Sequence, residues 1–564
     1  MTTYLETDPS AVSTGVPGRR ERFRRPLRPR WLLATFAVAA LVVLPVALVA
    51  SSILTPDAEV WSFLWRTSLL EMVGSTLLLL AGVVIGTLVL GTGLAWLVAT
   101  YRFPGRGAFS WLLMLPLAVP AYVLGFIYVW LLDTPGPVQS GLRGLFGSDV
   151  WFPEVRSMAT AIVVLSLALY PYVYLFARAA FAEQAVATHE AARTLGQGPL
   201  RVAWRVLLPM ARPSLAAGSA LVAMETLTDY ATVQYFNVET VSVGIYRVWN
   251  GMYDRAAATE LASLVLVFAV TIIVVERALR GRARYHQQGG SARSVEPVRL
   301  TGLRAWTATA ACAAVLGVAF VLPAAQLVNW SSLVTLRRSD GGLDSRYLEY
   351  ATNSLLIAAA AALICLVLAA VVVNARRLGG DRLTAGLARV TTVGYAVPGP
   401  VVAVGVLLMF AGLDRALDAA GLDWGRFLVT GSVAGLLYAY VVRFLAVSYN
   451  SLDASLEKVT PSMTASALTL GAAPWRVVSR VHLPMVRTGI GVALVLVAVD
   501  ALKELPIVLL LRPFGFETLA VWVYRLASES RWELAGLPAL TIVAVATIPV
   551  AVLVRRSMKE VTAW

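Results

Sequence analysis

The chain has 564 residues, of which 58% are hydrophobic and 14% charged, and its mean hydropathy is +0.73. A chain this apolar cannot clothe a water-facing surface in charge, which excludes a soluble enzyme, a secreted disulfide scaffold and a disordered protein. The net charge of +14 comes from 47 basic against 33 acidic residues. The basic residues cluster at the ends of apolar stretches, where they set membrane topology and do not bind nucleic acid.

Residues 1–30 carry seven arginines between Arg19 and Arg30 and no apolar periodicity, so they read as a disordered basic cytoplasmic tail. The first apolar run, Trp31 to Leu54, is long enough to span a bilayer, so no cleavable signal peptide is expected. Further apolar stretches lie near 72–100, 109–132, 157–181, 213–236 and 258–279. A basic cytoplasmic linker at 280–304 precedes a second set near 305–329, 351–374, 388–412, 428–449, 487–511 and 535–556. These stretches are too long and too evenly apolar for barrel strands, which alternate over about ten residues. The expected fold is all-α: a polytopic membrane protein of twelve transmembrane helices, with six-helix domains at 31–279 and 305–564. Threading twelve spans places the basic segments on one side, so both termini and the linker are expected in the cytoplasm. Cys312 and Cys365 fall inside apolar stretches and read as small buried hydrophobes. His189, His286 and His482 are scattered, and no metal site is predicted.

The strongest internal signal is a repeat. Residues 190–212, EAARTLGQGPLRVAWRVLLPMAR, align with residues 465–487, ASALTLGAAPWRVVSRVHLPMVR, at a constant offset of 275 and with thirteen of 23 positions identical. Shared membrane composition explains scattered Leu and Val matches, but not Gly196/Gly471, Pro199/Pro474, Arg201/Arg476 and Pro209/Pro484 in register. Each half has an even number of spans, so both copies lie on the same side and the halves are parallel repeats. Each copy reads as a short helix stopped by a glycine, a second helix begun by a proline, and an end at Pro209 or Pro484. Two copies at equivalent positions favour docking into another protein over an amphipathic helix resting on lipid.

The fifth and eleventh stretches carry acids at the same offset: Glu225 and Asp229, Asp500 and Glu504. Glu225 lies twelve residues beyond Pro213, roughly 18 Å at helical rise. Four-residue spacing on one helix would put each pair on one face. Isolated acids at that depth cost about 2.5–3.5 kcal/mol or more, so they must face the bundle interior or water. One reading is an acidic lining that favours a cationic cargo. The other is that the acids tie helices together through Arg178 or Arg443, with Lys503 pairing Asp500. Pro116, Pro120, Pro398 and Pro400, in the third and ninth stretches, read as packing features, with a hinge as the alternative.

Glu190-Ala191-Ala192, Gly196 and Leu208-Pro209 resemble the EAA loop of permease subunits of binding-protein-dependent ABC importers. The second copy keeps Gly471 and Leu483-Pro484 but begins Ala465-Ser466-Ala467. The resemblance extends along most of the chain and points to fused double permeases of the ferric iron type, through residues 228–231, 243–249, 502–506, 511–514 and 524–528. It implies a type I importer fold in which residues 190–209 and 465–484 couple to a dimer of ATP-binding cassette subunits. It also implies an extracytoplasmic substrate-binding protein, a bacterial inner-membrane location, and no catalysis by this chain. None of the three lysines, Lys458, Lys503 and Lys559, follows the glycine that a phosphate-binding loop needs, so ATP and magnesium belong to the partner. The alternatives are a permease of the same class for thiamine or an aminophosphonate, and an ion-coupled secondary transporter. The latter does not account for two repeated loops.

Overall fold

In a bilayer each backbone N–H and C=O must be satisfied within its own segment, so long apolar runs fold as helices. The computed structural model describes residues 29–183, 199–252, 254–280, 298–337, 344–379, 381–421 and 431–562. Among these, ten helices are long and apolar enough to cross a membrane, or up to twelve if two sharply bent pairs each count as one span. The first half contains α1 (Pro29–Ser52), α2 (Leu69–Thr100), α3 (Ala121–Leu132), α4 (Met158–Glu183), α5 (Leu208–Thr228) and α6 (Arg255–Arg280). The second contains α7 (Gly302–Leu316), α8 (Ser345–Gly379), α9 (Gly399–Ala419), α10 (Val433–Leu456), α11 (Arg487–Lys503) and α12 (Trp532–Thr562). Cys312 and Cys365 are both buried and free. The tail and most of the linker lie outside the described residues; the linker's end, Val298–Arg299, pairs in parallel with Tyr101–Arg102.

The prolines act differently from the sequence reading. The third stretch is not one helix with packing kinks. It runs Arg106–Leu112, a tight turn at Leu115–Ala118, then α3, with a 90° bend at the break. Pro116 lies in the turn and Pro120 is the residue before α3. The ninth stretch repeats this: a turn at Val393–Ala396, Pro398 before α9, and Pro400 in its first turn. Proline lacks the N–H that a helix start leaves unpaired, so these residues mark where the span ends and begins again. Pro209 is also corrected. It does not end its element: helix runs on from Pro199 through a π turn at Ala203–Leu207 into α5. The second copy does bend there, by 76° between Pro474–Met485 and α11.

The halves are not packed as two separate bundles. α1 lies against α8, α9 and the helix Arg382–Val390 of the second half. In return, the π turn Gly317–Val321 that follows α7 reaches α4 and the Leu115–Ala118 turn of the first half. Both crossing helices carry a proline, and each proline strands a carbonyl. Pro45 has no N–H to give Leu41, and the Leu41 carbonyl accepts instead from Tyr438 Oη of α10 at 2.7 Å. In the other half the π turn pairs Leu322 N with Gly317 O, and Pro323 has no N–H to offer Val318. The Val318 carbonyl accepts from Tyr128 Oη of α3 at 2.7 Å. A tyrosine from the opposite half thus satisfies each proline-freed carbonyl.

Tyr438→Phe and Tyr128→Phe each leave an unpaired carbonyl and should each destabilise the protein by about 1–3 kcal/mol, read as lowered thermal unfolding midpoints in detergent. An unrelated exposed substitution such as Leu145→Ala, at a residue 80% exposed, should not.

Candidate functional site

The two halves meet at a cavity of about 120 Å³. It brings together all four acids singled out in the sequence, Glu225, Asp229, Asp500 and Glu504, with Arg443, Lys503 and the tyrosines Tyr122, Tyr172, Tyr230 and Tyr395. Glu225 and Asp500 project from α5 and α11. Asp229 and Glu504 are not on those helices, because α5 ends at Thr228 and α11 at Lys503. The expected shared helix face does not exist; the break itself aims both pairs into one cavity. After each break a short helix begins, Ala231–Tyr235 in one half and Pro506–Leu511 in the other.

The breaks explain two of the acids. Asp229 Oδ1 accepts from Thr232 N at 2.9 Å and Val233 N at 3.3 Å, and Oδ2 accepts from Thr232 Oγ1 at 2.7 Å. Glu504 Oε1 accepts from Ile507 N at 3.3 Å. Each carboxylate therefore caps the orphan donors of the following helix. The other contacts are ionic. Arg443 reaches Glu225 at 3.7 Å and Glu504 at 3.5 Å, and its Nη1 donates to the Val397 carbonyl at 3.2 Å. Lys503 pairs with Asp500 at 2.9 Å, one helical turn away. Arg443 is 5% exposed and Glu504 8%, so this network replaces the water that both charges have lost. Four carboxyl groups face two cationic side chains, so acidic side chains outnumber basic ones on the wall by two.

Two of the acids, Glu225 and Glu504, pair with Arg443, and all four line a cavity between the halves. The sequence offered Arg178 and Arg443 as partners of the acids, and Arg443 lines the cavity. No sequence signal pointed to Tyr122, Tyr172 or Tyr395, because single tyrosines in apolar helices are common.

A second repeat flanks the cavity. Residues 239–247, ETVSVGIYR, match residues 517–525, ETLAVWVYR, at an offset of 278. Thr240 and Thr518 cap the helices Val241–Arg247 and Leu519–Ser528 through their side chains. Glu239 pairs with Arg247, and Glu517 with both Arg512 and Arg525. Tyr524 Oη crosses to Tyr230 Oη at 2.8 Å and to Gln234 Oε1 at 2.5 Å, joining the halves beside the cavity.

Of the repeated loops, Glu190, Ala191, Ala192 and Gly196 lie outside the described residues, while Pro199 begins a helix. The second copy is described throughout. The helix Pro461–Thr469 carries Ala465 and Ala467, Gly471 turns with φ +82°, and Pro474 starts the next helix. A buried network binds this loop to α8. Asn374 Nδ2 donates to the Ala370 carbonyl at 2.8 Å, which fixes the amide so that Oδ1 faces His482. His482 Nδ1 donates to that oxygen at 2.6 Å, and Nε2 accepts from Thr464 Oγ1 at 3.1 Å. Burial, and then the nearby Arg377 guanidinium, hold the His482 pKa below the usual histidine value.

Two predictions arise here. Arg443→Gln leaves Glu225 and Glu504 without their cation and should cost about 3–5 kcal/mol, with much of the loss restored when Glu504→Gln is added. Thermal unfolding of the single and double variants checks this. The folded state disfavours protonated His482, so the unfolded loop takes up the proton first and the loop loses stability as pH falls below about 6.5. Protection factors of the amides of residues 461–485, which discount the intrinsic slowing of exchange in acid, should fall from about pH 7 to pH 5 in the wild type, whereas His482→Leu should show low protection at both values.

Residues 88–282 match the family described as binding-protein-dependent transport system inner membrane component. The chain is 25% identical to the Fe(3+)-transport system permease protein FbpB 2 of Haemophilus influenzae over 540 residues, covering 95% of this chain and 100% of the relative. It is 23% identical to a putative ferric transport system permease protein, FbpB 1, of the same organism, covering 74% of this chain and 67% of the relative. It is 28% identical to the sulfate transport system permease protein CysT of Salmonella typhimurium, covering 34% of this chain and 70% of the relative. Residues 88–282 of this multi-helix membrane chain are thus similar to an importer permease component, and most of the chain is similar to a ferric permease.

Proposed function

We propose that this permease of the binding-protein-dependent class carries ferric iron inward, delivered by an extracytoplasmic binding protein and driven by a separate dimer of ATP-binding cassette subunits. The observation that carries the cargo reading is the sign of the cavity wall: four carboxylates against two cations at the seam between the halves. Such a wall attracts a cation and repels an anion such as sulfate at close range, where each unit charge counts for about 1–4 kcal/mol. Two relatives with ferric transport in their names match over most of this chain and support the same reading.

In this reading the repeated loops at 190–209 and 465–484 lie in the cytoplasm with both termini and seat in the ATPase. ATP binding draws the loops together, and the halves rock about their seam so that the cavity opens outward to the loaded binding protein. Hydrolysis returns it. The six-span domains at 31–279 and 305–564 are the rocking units, each held to the other by its first helix. The loops differ in how they are fixed: the second is latched through His482, and position 207 of the first is leucine.

Uptake of radiolabelled ferric iron at low iron, in cells with and without the gene, tests this, with thiamine and sulfate uptake in parallel. Loss of iron uptake alone is expected on deletion. Wild-type gene should restore it and Gly471→Asp should not, because a left-handed residue with a side chain strains the loop's turn by about 1–2 kcal/mol. Loss of thiamine or sulfate uptake with iron uptake intact would overturn the cargo.

A further inference from the structure

The four acids of the cavity come in matched pairs at an offset of 275, one member from each half. The two cations do not. The position matching Lys503 in the first half is Thr228, and the position matching Arg443 is Ala168. The symmetric part of the site is therefore purely acidic, and both cations are additions from the second half.

The two cations are held in different ways. Arg443 has two carboxylates and a carbonyl around it, and its side chain is 6% exposed. It is a fixed tie. Lys503 has one ionic partner, Asp500, three residues earlier on its own helix, and the two side chains are 23% and 26% exposed to the cavity. A lysine's four-carbon stem is flexible and its ammonium is a point charge, so it leaves a carboxylate more readily than a forked guanidinium does. Asp229 and Glu504 are further held by backbone N–H groups of the helices they cap. Asp500 is thus the acid of this wall whose ionic partner is a movable cation. Tyr122 is 5% exposed and lines the same cavity with its hydroxyl unpartnered. A buried hydroxyl left without a partner is costly, and it offers an oxygen to a cation in the cavity.

From these contacts we infer that Lys503 is a tethered plug: its ammonium occupies Asp500 in the resting permease, and a bare multivalent cation with a preference for oxygen ligands displaces it to pass. This rests on the cationic-cargo reading and sharpens it. A monovalent ion gains too little from the wall to displace an equal charge already tethered there, whereas a trivalent ion gains roughly three times as much. An organic ferric chelate of neutral or negative charge has no such advantage. Among the described residues no three metal-binding side chains converge into a cage, so the ion is passed along the wall and not stored. Carboxylate and phenol oxygens are the ligands that hard cations take.

The test uses the purified full-length chain in detergent and terbium(III), whose luminescence is excited through nearby aromatic rings. Lys503→Gln, and Lys503→Thr, which copies Thr228 of the first half, remove the competing cation. Each should bind terbium at least about tenfold more tightly than the wild type. Lys503→Arg, whose fork leaves Asp500 less readily, should bind terbium no more tightly than the wild type, and adding Asp500→Asn to the neutral variants should abolish the gain. Sodium should not compete and lanthanum should. Equal terbium affinity in the wild type and both neutral variants would overturn the plug, as would a gain in Lys503→Arg. A gain in Lys503→Gln alongside failed iron uptake would uphold the plug and assign it to another multivalent cation. No gain alongside normal iron uptake would remove the plug and leave the cargo reading standing.

Discussion

The contact between Glu225, Arg443 and Glu504 sets the terms for the rest of the molecule. Arg443 belongs to α10 of the second half, and it holds a carboxylate from each half at once. Charges at that depth survive only when paired, so the helices that carry them must converge. α5 and α11 both end just beyond Glu225 and Asp500, and each half still brings two acids to the one cavity. The carboxylates at the breaks, Asp229 and Glu504, then cap the next helices. A charged centre and a pair of broken spans are one solution to one constraint.

The same logic appears at the helices that cross between halves. Pro45 and Pro323 would be faults in an isolated membrane helix, since each leaves a carbonyl with no donor. Tyr438 and Tyr128 supply that donor from the opposite half. The crossing is specified by a polar group that only the other half can satisfy. That bond adds direction to helix packing in which lipid tails compete with apolar side chains.

Much of this was legible in the sequence. Apolar length located the helices, because runs this long and evenly apolar do not alternate as barrel strands do and satisfy their backbone in lipid as helices. The offset of 275 matched the two acid pairs and the two loops, because glycine, proline and charge in register do not arise from composition. The breaks were not legible. Glu225 and Asp229 at four-residue spacing fit an unbroken helix as well as a capped break, and the deciding residue, Thr232, carries no signal alone. The prolines of the third and ninth stretches were seen, but their place before a restarting helix depends on the turns at Leu115–Ala118 and Val393–Ala396. The second repeat, at offset 278, escaped because three inserted residues shift its register and its Glu-Thr and Tyr-Arg pairs are short.

The central claim is that the acidic wall at the seam selects and passes a cation under the drive of ATP. It is tested most directly in vesicles reconstituted with this chain and the ATPase and binding protein proposed for it, comparing the wild type with Glu225→Gln/Asp500→Asn. The account predicts that the double variant still hydrolyses ATP in response to the loaded binding protein while ferric iron uptake falls by about tenfold or more, since neutralising two wall charges removes a few kcal/mol of attraction. Iron uptake at the wild-type rate in that variant, with ATP hydrolysis unchanged, would contradict it.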